Sequence, residues 1–109
     1  MAIEGAQAQI TKEVTTWRGV QLLQRPSGWV DYRFGKKYGI GHIHGDHQVD
    51  IEFPTPVRHA LVRMGKVQPH HALKDSGWVS FYIEKPDDVQ QAIALLRRSY
   101  EIMQRQLAR

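Results

Sequence analysis

The sequence predicts an α+β fold: an antiparallel sheet of about five strands, arranged as a meander, with helices packed on one face. Three observations carry this expectation. Segments that alternate apolar and polar residues cluster in the middle of the chain, from about Gly19 to Phe53. Helical spacing of apolar residues falls before them, once after them and again at the C-terminus. The joints between segments are mostly short Gly- and Pro-containing turns. Strands and helices that segregate in this way build an antiparallel sheet with helices laid on one side.

The elements follow in order. Ala6, Ile10, Val14 and Trp17 recur at helical spacing, so a helix is expected from about Ala2 to Val14. Gly19–Gln24 reads as a short strand, closed by the turn Arg25-Pro26-Ser27-Gly28. In Trp29–Phe34 the residues Val30, Tyr32 and Phe34 share one face, because side chains alternate along a strand. Gly35-Lys36-Lys37 turns the chain into Tyr38–His44, a hairpin signal. Gly45-Asp46 then precedes Gln48–Phe53, with Val49, Ile51 and Phe53 on one side and Asp50 and Glu52 on the other. Pro54 ends that strand. Thr55 is expected to cap a helix with Pro56 at its first position and a buried stripe of Val57, Ala60, Leu61 and Met64. His59 and Arg63 fall on its exposed side. A loop of about a dozen residues carries Pro69-His70-His71 to Ser76-Gly77, long enough by ordinary loop lengths to draw attention as functional. Trp78–Ile83 is the last strand. Pro86-Asp87-Asp88 opens a final helix whose stripe is Val89, Ala92, Ile93, Leu96, Tyr100, Met103 and Leu107.

A chain of 109 residues fits one domain, 1–109, and its apolar and charged fractions of 41% and 24% are ordinary for a globular core. There is no cysteine, which removes disulfides, thiol nucleophiles and Cys-ligated metals. The N-terminus lacks the basic and apolar regions of a secretory signal, and no run reaches the ~18 apolar residues of a membrane span. The expectation is a soluble, cytoplasmic protein with no membrane partner. The formal net charge of +4 admits nucleic acid without favouring it, because much of the excess sits at Arg97, Arg98, Arg105 and Arg109, where helix ends attract cations.

Histidine is the residue in surplus: there are six, five of them between His42 and His71. His42 and His44 project from one face of their strand, and Asp50 and Glu52 share a face of the next. If those faces coincide, imidazoles and carboxylates converge on the open side of the sheet. The candidate catalytic residues are His42, His44, Asp50, His70 and His71, as general acids and bases or as metal ligands. Spacing identifies no third ligand beside His42 and His44, so no metal and no cofactor is assigned. Asp46, Trp78, Ser80 and Tyr82 are the candidate ligand-binding residues. Trp78 and Tyr82 lie opposite Val79 and Phe81, on the side away from the expected helices. Together with Trp29 these aromatics suit either a flat ligand or the centre of a homodimer. Gly39-Ile40-Gly41 falls inside a strand, so it is not a dinucleotide fingerprint, and no nucleophile elbow is present.

The ordered blocks Gly41-His42-Ile43-His44-Gly45-Asp46, Val49-Asp50-Ile51-Glu52-Phe53-Pro54, Pro69-His70-His71, Ser76-Gly77-Trp78-Val79-Ser80 and Leu95-Leu96-Arg97-Arg98-Ser99-Tyr100 resemble the luciferase-domain family over about Trp29 to Glu101. That family includes fungal luciferases and many short bacterial proteins. The resemblance implies that His42, His44, Asp46, Asp50, His70, His71 and Trp78 are the polar and aromatic positions to watch. Its fungal members oxidise a hydroxylated pyrone with molecular oxygen and are not known to need a metal or flavin, but they are longer and membrane-associated. Glu52 stands where the family pattern carries a proline. The last strand and helix are also similar, in architecture alone, to the YjbR-like family, sometimes described as DNA-binding. The expectation is therefore a small-molecule-binding domain, with catalysis of an oxidation or acid/base kind left open. A nucleic-acid-binding or protein-interaction module is the alternative.

Overall fold

A computed structural model describes residues 3–35, 38–70 and 77–108. Helix α1 (Ala6–Val14) is followed by strands β1 (Val20–Gln24), β2 (Val30–Phe34), β3 (Tyr38–His44) and β4 (Gln48–Glu52). Then come α2 (Thr55–Arg63), β5 (Gln68–Pro69), β6 (Trp78–Tyr82) and α3 (Asp87–Leu107). All strands pair antiparallel in one six-stranded sheet of order β1-β2-β3-β4-β6-β5. The expected meander accounts for the first four. The sixth strand is β5, a two-residue pairing with β6 inside the segment expected to be all loop.

The helices line one face. α1 and α3 pack on each other, α3 lies across β3 and β4, and α2 leans on β6. The core beneath them is built by the predicted alternation: Val30 and Tyr32 from β2, Ile43 from β3, Val49 and Ile51 from β4, and Val79 from β6 are all buried. Against them α1 sets Ala6, Ile10 and Val14, and α3 sets Val89, Ala92, Leu95, Leu96 and Tyr100. Each fully buried aliphatic side chain contributes ~1.5–3 kcal/mol relative to exposure. Of the expected α3 stripe, Ile93 and Met103 are half-buried and Leu107 is exposed.

The α2 stripe differs from expectation. The helix starts at Thr55, with Pro54 in the capping position, and Met64 is 64% exposed while Arg58 is buried. A short amphipathic helix is free to rotate about its axis by one position, and burying Arg58 beside Leu61 turns Met64 outward.

Two devices fix the sheet under α3. The β2–β3 register shifts between Tyr32 and Arg33, leaving Ile40 as an extra residue in β3. Where the ladder opens, the buried Ser99 hydroxyl lies 3.2 Å from the Ile40 carbonyl oxygen and 3.0 Å from that of Glu52. Gly41 sits so close beneath the helix that a Cβ there would come within 2.9 Å of the Leu96 side chain and 2.8 Å of the Asp50 carbonyl oxygen. That glycine therefore serves helix–sheet packing.

Candidate functional site

Among the described residues the sheet's other face carries no helix, and register decides what stands on it. Asp31 pairs with His42, His42 with Asp50, Asp50 with Ser80, and Ser80 with Gln68, forming one row across five strands. Directly paired residues in antiparallel strands point to the same side. His44, Gln48 and Tyr82 form the neighbouring row. The convergence expected from strand parity is therefore present: His42, His44, Asp50, Trp78, Ser80 and Tyr82 share the open face.

At its centre the Asp50 carboxyl is buried, with 0% exposure. Its Oδ1 accepts from the Ser80 hydroxyl at 2.7 Å and from the Gln48 amide at 2.9 Å. Its Oδ2 faces three imidazole Nε2 atoms: His44 at 2.8 Å, His42 at 3.2 Å and His70 at 3.4 Å. Burial pushes the Asp50 carboxyl upward, but hydrogen bonds from His42, Gln48, Ser80 and His44 outweigh it and hold the group well below the usual carboxylate range. Asp50 is thus an anion. Burial pushes the His44 imidazole below its ordinary value, against the hydrogen bond and charge of Asp50, which pull it up.

Two indoles wall the imidazoles. Trp29 stacks on His42, with ring centres 5.2 Å apart and planes 5° from parallel, and meets His44 edge-on at 3.9 Å. Trp78 tilts against His42 at 5.2 Å and stands edge-on to His70 at 6.4 Å. Beside them opens a cavity of about 510 Å³, lined among others by Arg25, Trp29, Asp31, Arg33, Gly39, His42 and Trp78. This is within the ordinary range for small-molecule sites. Gly39, with nothing within 4 Å of where a Cβ would stand, leaves room there. At the rim Arg25 contacts Asp31 Oδ2 through both Nε and an Nη at 2.7 Å. The Arg33 Nε is buried and has no hydrogen-bond partner.

The remaining sequence candidates separate. Asp46 is not at the cavity. Its carboxylate accepts from the main-chain N–H groups of Gly5 at 3.2 Å and Gln7 at 2.9 Å, capping α1 across the molecule. Gly45, with φ 57°, turns the β3–β4 hairpin so that Asp46 points there. Ser80 is buried under Asp50 and serves the carboxylate. Tyr82 is exposed on the open face away from the cavity wall. His71 and Ser76 lie outside the described residues, as do Lys36 and Lys37. The candidate site residues named from the sequence do not include Asp31, Arg33 or Gln48. The signal for Asp31 and Arg33 was the alternation already used for Val30 and Tyr32, read for the opposite face.

Among the described residues no helix is long and apolar enough to cross a membrane. No curated protein and no solved structure matches the chain significantly. A family model described as the luciferase domain matches residues 37–99, more than half of the chain. The matched segment carries His42, His44, Asp50, His70 and Trp78, whereas Trp29, Asp31 and the rim arginines precede it. The resemblance first seen in five short blocks thus extends over β3, β4, α2, β6 and most of α3, and the chain belongs to the luciferase-domain family.

Proposed function

We propose that the open face is a small-molecule site that binds a planar, oxygen-bearing compound in the cavity between Trp29, Trp78 and the rim arginines, with His42 moving a proton on it. One observation carries the reading: His42 belongs to the cavity wall and at the same time lies 3.2 Å from the buried Asp50 carboxylate through Nε2. A carboxylate that accepts from one imidazole nitrogen leaves the other as a lone pair and stabilises the cation formed when it takes a proton. His42 Nδ1 then accepts the proton of a ligand hydroxyl, and the ligand becomes an enolate or phenolate beside Arg33. Flat ligands gain from the indole faces. Oxidation by molecular oxygen, the chemistry of the family's fungal members, requires a substrate that itself supplies the electrons, and deprotonation raises its capacity to do so. Nucleic-acid binding draws less support, because Asp31 already engages the Arg25 guanidinium.

The test uses hydroxylated 2-pyrones titrated into the full chain, followed by tryptophan quenching and by ligand absorbance. Saturable quenching with a shift to the deprotonated ligand spectrum is expected. His42→Gln should abolish the spectral shift while leaving affinity within a few fold. Trp29→Ala should weaken binding about tenfold, the equivalent of ~1.4 kcal/mol. Quenching that does not saturate, or a shift that survives His42→Gln, would remove this reading.

A further inference from the structure

The carboxylate hub has a property that proton transfer does not use. A carboxylate offers about four lone-pair sites, two on each oxygen. Asp50 has five polar neighbours, and three of them, the Nε2 atoms of His42, His44 and His70, crowd the single oxygen Oδ2. Three imidazole nitrogens and one carboxylate oxygen gathered at a point are a ligand set. Donors bonded to one ion at ~2.0–2.2 Å stand roughly 3 Å from one another, and the nitrogens stand 2.8, 3.2 and 3.4 Å from Oδ2. The chosen donor atoms of His42, His44 and Asp50 all lie within 4.8 Å of one another, a spread that side-chain rotation narrows.

We infer that His42, His44, His70 and Asp50 form a site for one divalent first-row transition-metal ion, with coordination positions left open toward the cavity. The donor set is of the imidazole-plus-carboxylate kind that suits iron(II), cobalt(II) and zinc(II). The surroundings are those of a metal site's outer shell. Ser80 and Gln48 hold Asp50 Oδ1 and so orient Oδ2. Trp29 fixes the ring planes of His42 and His44. Hydrogen bonds such as those from Ser80 and Gln48 orient the ligands of metal centres. The strands supply a rigid frame, and three of the four ligands stand on β3 and β4.

The site goes beyond the ligand-binding reading and does not require it. Metal binding changes one thing in that reading: with Nε2 given to the ion, the neutral His42 carries its proton on Nδ1 and donates into the cavity where the metal-free ring accepts.

The experiment titrates cobalt(II) into the chelator-stripped full chain without any organic ligand, so its failure leaves the quenching test untouched. One equivalent is expected, with visible d–d absorption. His44→Ala and His70→Ala should each weaken binding at least tenfold, the scale at which even outer-shell changes act. His59→Ala, on the exposed side of α2, should leave binding unchanged. Asp50→Asn tests the carboxylate, and His70→Ala, at the strand edge, guards against loss of fold. Absence of the d–d bands in the wild-type chain, or bands unaltered in both histidine variants, would overturn the inference.

Discussion

The two faces of the sheet are made of the same strands and differ in what each alternate residue does. On the helical face Val30, Ile43, Val49, Ile51 and Val79 are buried apolar side chains in one core with Val89, Ala92, Leu95, Leu96 and Tyr100 of α3. On the open face, one step along in each strand, His42 and Ser80 are held by directed contacts to the Asp50 anion, and Asp31 by its contact to Arg25. The contrast teaches that the apolar core and the polar cluster are separated here by one residue of register, not by distance along the chain.

The largest effect that tests this separation is Leu96→Ala. It empties the contact between α3 and Gly41 and should cost ~2–5 kcal/mol in chemical denaturation. His44→Ala, on the other face, should cost less than half as much while weakening cobalt(II) binding. If the two substitutions destabilise equally, the polar face is part of the folding core and the division fails.

The faces should also fail at opposite ends of the pH scale. Burial raises the Tyr32 hydroxyl to about 12, partly offset by its hydrogen bond to Thr11. A raised acid favours the neutral form in the folded chain. Its contribution is intact below the unfolded value near 10 and is lost between there and about 12, a loss of roughly 2–3 kcal/mol. Tyr32→Phe should flatten that alkaline slope. Asp50 and His44 are both lowered. In the chelator-stripped chain their contribution is present above their unfolded values and falls as acid is added, first through His44 below about 6.5 and then through Asp50 below about 4. Melting temperatures across pH, in wild type and His44→Gln, measure the first part.

The finest test compares two glycines separated by one residue. Gly41→Ala drives a Cβ against Leu96 and the Asp50 carbonyl and should cost ~1–3 kcal/mol. Gly39→Ala meets open space and should stay within ~0.5 kcal/mol. Gly39→Leu should spare stability while shrinking the cavity and lowering hydroxypyrone affinity.

Much of this was legible in the chain because alternation is a strong local signal. Tyr38–His44 was placed to the residue, and parity put His42 and His44 on one face of it and Asp50 and Glu52 on one face of the next strand; the register then shows that the two faces coincide. Asp46 was misplaced because its partners, the amides of Gly5 and Gln7, are distant in sequence and no spacing rule reaches them. Met64 and Arg58 exchanged places because a nine-residue helix offers too few turns to fix its rotation. The strand at Gln68 was hidden because two residues cannot establish a period. The cavity depends on the β1–β2 turn folding over toward Gly39, which is a matter of tertiary geometry.

The stretch from His42 to Asp50 is a single hairpin, and it brings two imidazoles, an amide and the anion within reach of each other before any distant strand arrives. Hairpins close in ~1–10 μs, and these four groups meet through local contacts alone, whereas the cavity also needs β2 and β6. Substitutions at Asp31 of β2 or Trp78 of β6 can therefore reshape the cavity while the nine residues from His42 to Asp50 keep their local hairpin.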